Sequence, residues 1–321
     1  MKMSDQRTKN EHLIASAFAK INLHLEILGL RNDGYHELSM VMQSINLFDQ
    51  LKMQLSRDDR ITLNSSNTEL TIGDDNLIIK AAKLIRNKSG KNHLGVNISL
   101  IKNIPIGAGL AGGSTDAAAT LVGLNKLWNL NFQINELEEM GKEIGSDVPF
   151  CISGGRQLCF GRGELLERVS NKHSNIGVIL VKDPSIQIST PMAYKRYQEQ
   201  FAESYLSSDV EFDNKRNEAR GFDWSTDNFI HEKSNIINDL QKTISPITPE
   251  VDKSLNVLRD LPGSKLVSMS GSGPSCYALF STYNQAKIVL KQNLNKFEYA
   301  GLSAWACSMK TFGVELKNEF I

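Results

Sequence analysis

Gly107, Gly109, Gly112 and Gly113, followed at once by Ser114, open the segment IPIGAGLAGGSTDAAATLVGLNKLW (104–128). Four glycines in seven positions cost backbone entropy, so the chain there needs something other residues cannot supply. An anion answers that need. Where a loop becomes a helix, the first N–H groups lack helical partners and the helix dipole adds partial positive charge. Glycines let phosphate oxygens approach those amides. Ser114 fits as an N-cap or a further donor. The chemistry in view is therefore the handling of a phosphate, and a purely structural glycine turn is the weaker account.

Two motifs nearly fit. Gly107, Gly109 and Gly112 spell G-x-G-x-x-G after the strand-like VNISLI (96–101). A dinucleotide-binding unit would then need a second buried strand ending in an acid about 20 residues on. NELEEMGKEIG follows instead, an amphipathic helix with Asn135 and Glu138 as a capping pair. The same residues also read as a Walker A loop with Gly113 in place of the lysine, so the compensating cation must come from elsewhere.

Other residues could complete such chemistry. Lys20 and Asn22 lie in SAFAKINLHLEIL (16–28), where Ile21, Leu23, Leu25 and Ile27 alternate with Lys20, Asn22, His24 and Glu26. That is a strand with one buried and one polar face, on which a lysine is as readily a solvated charge as a functional one. Asp33-Gly34 is a turn signal that carries Tyr35 and His36 to a loop tip; their plain alternatives are hairpin packing and a surface histidine. Asp147 lies among Ile144, Val148, Pro149, Phe150 and Cys151. It could cap a helix, but a carboxylate in apolar company needs a partner, and Lys20 can be one. SGSGPS (270–275) joins two strand-like runs and could be a plain hairpin or a second cradle of amides. Gly161-Arg162-Gly163 reads as a tight structural turn.

The positioning elements follow from periodicity. Short strands are expected over 41–64, a helix over 76–88, a central strand at IGVILV (176–181), and a helix opened by Thr190-Pro191 that carries Tyr194 and Tyr197. Helices are expected at 231–241 and 249–260, and residues 202–230 fit no period. Length implies two domains, with the second beginning near residue 165. Lys plus Arg (36) equals Asp plus Glu (36), which argues against a nucleic-acid partner. No charge-free run reads as a membrane span, the N-terminus MKMSDQRTKNEHL reads as neither secretory signal nor transit peptide, and the four cysteines form no C-x-x-C pair. A cytoplasmic protein with buried, reduced thiols is expected.

Three separated segments, AKINLHLEILGLRNDGYHEL, PIGAGLAGGSTDAAA with GSDVPF downstream, and SGSGPSCYALF, are spaced as in the small-molecule kinases of the GHMP superfamily, which this chain resembles. The resemblance implies a two-domain α+β fold with the active site in the cleft between an ATP-binding domain (1–165) and a substrate-side domain (166–321). It implies ATP and Mg²⁺ as cofactors, with phosphates on Pro105, Ile106, Gly107, Ala108, Gly109, Leu110, Ala111, Gly112, Gly113, Ser114 and Thr115. Lys20 and Asp147 fall on the catalytic lysine and aspartate. Asn22, Tyr35 and His36 fall on substrate-facing positions, as do Thr190 and Tyr194. The first segment narrows the resemblance to the branch whose acceptor is 4-diphosphocytidyl-2-C-methyl-D-erythritol, with Tyr35 and Tyr194 expected to sandwich its base. Protein ligands of Mg²⁺ are left open, with Ser114 as a candidate. An NAD-dependent oxidoreductase and a non-catalytic relative of RNA-binding folds are the rival readings.

Overall fold

A computed structural model describes residues 11–65, 67, 70–170, 174–231 and 236–320. Its larger sheet has seven strands: β1 (Glu11–Leu30), β2 (His36–Leu55), β3 (Ile61–Ser65), β4 (Val96–Ile101), β5 (Arg156–Gly161), β6 (Leu165–Val169) and, from the far end of the chain, β11 (Val314–Phe320). The order is β11-β1-β2-β4-β3, with β5 on the other half of β2 and β6 beyond it. Only the β3–β4 pair is parallel among these ladders. A second sheet runs β10 (Ser303–Ser308), β7 (Gly177–Lys182), β9 (Cys276–Phe280), β8 (Leu266–Met269). Helices α1 (Leu77–Lys88), α2 (Gly112–Leu127), α3 (Ile134–Ile144) and α4 (Val148–Ser153) accompany the first sheet. Helices α5 (Thr190–Phe201), α6 (Asp209–Gly221), α7 (Asp239–Ile244), α8 (Pro249–Arg259), α9 (Tyr283–Gln292) and α10 (Leu294–Tyr299) lie around the second half. Strands and helices alternate irregularly and the sheets are mostly antiparallel, so the class is α+β.

The first strand departs from simple alternation. Register shifts interrupt the β1–β2 ladder between Phe18 and Lys20 and between Asn22 and His24. At the second of these the extra residue lies on β1 and turns the side chains after it to the other face. Ile21 and Leu23 therefore join one buried cluster while Leu25 and Ile27 join the other, not the single row that alternation predicts. Lys20 and Asn22 thus share the face that carries Leu25, and His24 and Glu26 lie on the opposite one. The polar row is not solvated: Lys20 and Asn22 are both buried.

Several expected boundaries move. Residues 36–55 form one continuous strand rather than short pieces. The capping pair of α3 is Gln133 with Glu136, two residues before the expected one, because the helix starts at Ile134. Residues 202–230, which show no period, contain α6, opened by a Ser208/Glu211 capping box and burying only Phe212. The helix expected over 231–241 is instead a 3₁₀ turn at Asp227–His231 and the short α7; residues 232–235 lie outside the described set. The α2-to-α3 order leaves no strand where a dinucleotide-binding unit needs one. β6 and β11 belong to the first sheet although the expected second domain begins at 166. All four cysteines are buried and free. No helix among the described residues is long and apolar enough to cross a membrane.

Candidate active site

The glycine loop ends where α2 begins, and its backbone is specialised. Gly107 (φ 60°), Gly109 (φ 72°) and Ala111 (φ 58°) are all left-handed. Ala111 occupies the N-cap with no side-chain cap bond, so the first amides of α2 have no capping side chain. Ser114 is therefore inside the first turn and is not the N-cap. Thr115 is buried and donates its hydroxyl to the Gly112 carbonyl.

The glycines do different things. A Cβ on Gly109 would stand 2.3 Å from the Ser270 carbonyl oxygen, so its absence lets the 270–273 turn pack on the loop. A Cβ on Gly112 would be 3.1 Å from Lys102 Nζ and from Ile104 Cγ2. At Gly113 the nearest atom is Leu77 Cδ1 at 3.4 Å, ordinary contact distance. Of the pair at the helix start, Gly113 alone has room for a side chain.

A cavity of about 500 Å³ opens on this loop, lined also by Lys20, Asn22, Asp147, Thr190, Tyr194 and Arg162. Lys20 Nζ donates to Asn22 Oδ1 (2.7 Å) and to the Gly109 carbonyl (3.2 Å), and Asp147 Oδ2 stands 3.6 Å away. Asp147 takes the N-cap position of α4, yet its side chain makes no cap hydrogen bond. It is turned to the ammonium instead. Asn22 is fixed from several sides: its N–H donates to Ser270 Oγ, its carbonyl accepts from the Tyr277 hydroxyl, and its amide nitrogen meets Met40 Sδ. Gly271 closes over the pair, where a Cβ would lie 3.1 Å from Asn22 Oδ1 and 3.4 Å from Lys20 Nζ. The serine–glycine turn thus belongs to the site.

Beyond Asp147 the site becomes aromatic. Burial, and after it the Asp147 charge, raises the pKa of the Tyr194 hydroxyl. The Tyr194 ring stacks on His36 at 5.2 Å between centroids. His36 Nε2 pairs with the Tyr205 hydroxyl at 2.9 Å, and burial pushes its pKa down, favouring the neutral imidazole. Thr190 Oγ1 meets Ser272 Oγ at 2.9 Å. Tyr35 does not pair with Tyr194. Tyr35 is 55% exposed, with the Arg162 guanidinium 4.8 Å from its ring centroid.

Sequence reasoning missed one cluster. Lys102, just before the loop, is held between Asp49 Oδ2 (2.5 Å) and Asp116 Oδ2 (2.7 Å). Asp49 also accepts the N–H groups of Asn103 and Ile104, tying the start of the loop to β2. Burial raises the Asp116 pKa well above the carboxylate range, against the lowering effect of the Lys102 ammonium and with a smaller push from the Asp49 charge. The other Asp116 oxygen, Oδ1, is buried with no hydrogen-bond partner. Neither pairing carried a sequence signal, with Asp116 14 residues from Lys102 across the loop and Asp49 53 residues away. Leu70 and Thr71 in the loop before α1, and Asn76 and Leu77 at its start, also line the cavity and were not foreseen.

An ammonium touching a carboxylate, beside helix-terminal amides on one side and stacked rings on the other, suits transfer of an anionic group to a hydroxyl on a molecule with a flat ring. The GHMP kinases N terminal domain matches residues 76–155, and the GHMP kinases C terminal domain matches 227–298. The chain is 65% identical over 318 residues (99% of this chain, all of the relative) to 4-diphosphocytidyl-2-C-methyl-D-erythritol kinase of Prochlorococcus marinus strain NATL2A. It is 48% identical over 305 residues (95% of this chain, 99% of the relative) to the protein of that name from Synechococcus sp. strain CC9605. Among solved structures, 4-(cytidine 5'-diphospho)-2C-methyl-D-erythritol kinase matches with a TM-score of 0.69 at 28% identity, covering 92% of this chain and 98% of the other. A homoserine kinase from Cytophaga hutchinsonii matches with a TM-score of 0.74 at 17% identity, covering 98% of this chain and all of the other, a likeness of fold.

Proposed function

We infer the reaction from one premise: the chain belongs to the 4-diphosphocytidyl-2-C-methyl-D-erythritol kinase family of the GHMP kinases. It is an ATP-dependent kinase that phosphorylates the 2-hydroxyl of 4-diphosphocytidyl-2-C-methyl-D-erythritol, in the non-mevalonate route to isoprenoid precursors. The observation that carries the mechanism is the 3.6 Å contact between Lys20 and Asp147, made by an aspartate at a helix cap that caps nothing.

On this reading, amides of residues 107–115 hold the ATP phosphates at the start of α2. Lys20, oriented by Asn22 and the Gly109 carbonyl, meets the transferring phosphoryl group. Asp147 accepts the proton of the acceptor hydroxyl, or aligns that hydroxyl for in-line attack. His36 and Tyr194 take the cytidine end, with Thr190 and Tyr35 at its edges. Bound with the nucleotide, Mg²⁺ supplies positive charge against the phosphates. Among the described residues no group of three or more His, Cys, Asp or Glu could hold a metal by itself. The free, buried Asp116 Oδ1 and the Ser114 hydroxyl are the groups of this chain that fit a nucleotide-borne cation.

The test is ATP-dependent phosphorylation of diphosphocytidyl-methylerythritol by the purified protein, set against galactose, homoserine and mevalonate. Transfer to the cytidylyl compound alone is expected. Comparable transfer to any of the other three would sink the assignment.

A further inference from the structure

Three cations line the cleft among the described residues: Lys20, Lys102 and Arg162. Lys20 is engaged by Asn22, the Gly109 carbonyl and Asp147, and Lys102 is enclosed between Asp49 and Asp116. Arg162 is different. Its nearest charged neighbour is Glu164, whose Oε1 stands 3.7 Å from Nε, beyond direct hydrogen-bond length. The rest of the guanidinium has no hydrogen-bond partner among the described residues, and its face rests over the Tyr35 ring.

The backbone is built to present it. Arg162 sits at the turn between β5 and β6, flanked by Gly161 (φ 66°) and Gly163 (φ 105°). The Arg162 N–H donates to Glu164 Oε2 at 2.6 Å, which braces the turn. A Cβ on Gly163 would come within 2.7 Å of Met40 Cε, so the turn lies directly on a residue of the cleft wall. A tight structural turn needs no arginine at its tip. One that holds a planar fork over a cleft, supported on an aromatic face, is organised to receive an anion.

The acceptor carries such an anion. A diphosphate joins its cytidine to its methylerythritol, and charges drawn into a cleft need a partner. We propose that Arg162 binds the acceptor's diphosphate, in bidentate fashion, and so determines selection of a nucleoside-diphosphate-linked alcohol over a bare one. This rests on the acceptor assigned above.

Calorimetric titration of cytidine, CMP, CDP and ADP tests it, with the unaltered protein, Arg162→Gln and Arg162→Lys. A hydrogen bond to a charged group is worth about 1.5–3 kcal/mol, so Arg162→Gln is expected to weaken CDP roughly ten- to hundredfold. Cytidine and ADP should change by less than about twofold, and Arg162→Lys should recover part of the CDP loss. In kinetics the acceptor KM rises while kcat at saturation holds. Equal losses for cytidine and CDP would overturn the proposal in favour of stacking on the base. Unchanged CDP binding, or an equal loss of ADP, would overturn it outright. No binding of CDP to the unaltered protein would overturn the acceptor assignment and the proposal with it.

Discussion

Asp147 shows how far a single residue can be argued from its surroundings. Its apolar neighbours in GSDVPF demand a partner, and the structure supplies Lys20 at 3.6 Å while leaving the helix uncapped by its side chain. Asp147→Asn keeps the shape and cannot take a proton. It is expected to lower kcat by about 10²–10⁴-fold, the range for general acid–base contributions, with little change in either KM. Because Lys20 and Asp147 act as a unit, adding Lys20→Ala should cost far less than the product of the single losses. Multiplicative losses in steady-state kinetics would return Asp147 to a capping role. The glycine loop divides in a way the sequence did not reveal. Four glycines all read as room for phosphate, but only the tertiary partners distinguish them: Ser270 beside Gly109, Lys102 beside Gly112, open contact at Gly113. Gly113→Val should therefore weaken ATP binding with the melting temperature nearly held. Gly112→Val, which drives a side chain into Lys102 and Ile104, should lose both. Equal thermal losses for the two variants would mean that neither glycine is reserved for nucleotide.

At the scale of elements, period and turn chemistry gave α1, α5, α8, β4, β7 and the β8–β9 hairpin, because each has a regular apolar face or a clear cap. Features set by neighbours far along the chain were illegible. The three register shifts along β1 follow from its pairing with β2, and α6 is nearly all polar because it covers little core. The Lys102 cluster is the sharpest case, since it fixes the loop between β2 and α2 through Asp49 and Asp116. Lys102→Met would leave two buried carboxyls facing each other, and breaking such a pair costs about 3–5 kcal/mol. The sign with pH is distinctive. Burial and the neighbouring Asp49 charge already raise the folded pKa of Asp116 above its unfolded value. Without the ammonium, which lowers it, the folded value of Asp116 rises further, so the protein binds more protons folded than unfolded. The variant's deficit should be smallest below the unfolded value, about pH 4, and grow as pH rises towards the raised folded value of Asp116. Melting temperatures of both proteins across pH 4–8 check this; a deficit independent of pH would show that the cluster acts by packing alone.

At the scale of the whole molecule, the length suggested two domains and the resemblance a cleft between them, and one cavity is lined from both halves, by Lys20 and Gly109 with Thr190 and Gly271. The contacts that tie the two halves together were not legible, because they depend on which strands find each other. β11 closes the chain back onto β1 in the first sheet. One buried cluster joins Leu51 and Met53 of β2 to Ile179 and Val181 of β7 and to Val251 and Leu255 of α8. A second joins Ile21 and Leu23 of β1 and Val41 of β2 to Val178, Leu180, Tyr277 and Leu279 of the other sheet. The loops at the cleft are locked likewise, Ser270 Oγ donating to the Gly109 carbonyl and the Ser275 N–H to that of Ala108. Neither half can open without exposing apolar surface of the other. The protein is therefore expected to unfold in one cooperative transition despite its 321 residues. At about 0.7 kcal/mol per residue the calorimetric enthalpy should be about 220 kcal/mol near 60 °C. In a single transition the van't Hoff enthalpy equals it. Two independent halves would instead give a van't Hoff value near half of the calorimetric one. Tryptophan emission adds a second check, since Trp128 lies in the first cluster while Trp224 and Trp305 lie in or against the second. Single-tryptophan variants reporting different midpoints, or removal of residues 314–321 that leaves the second sheet's transition where it was, would show that the halves are separate domains after all.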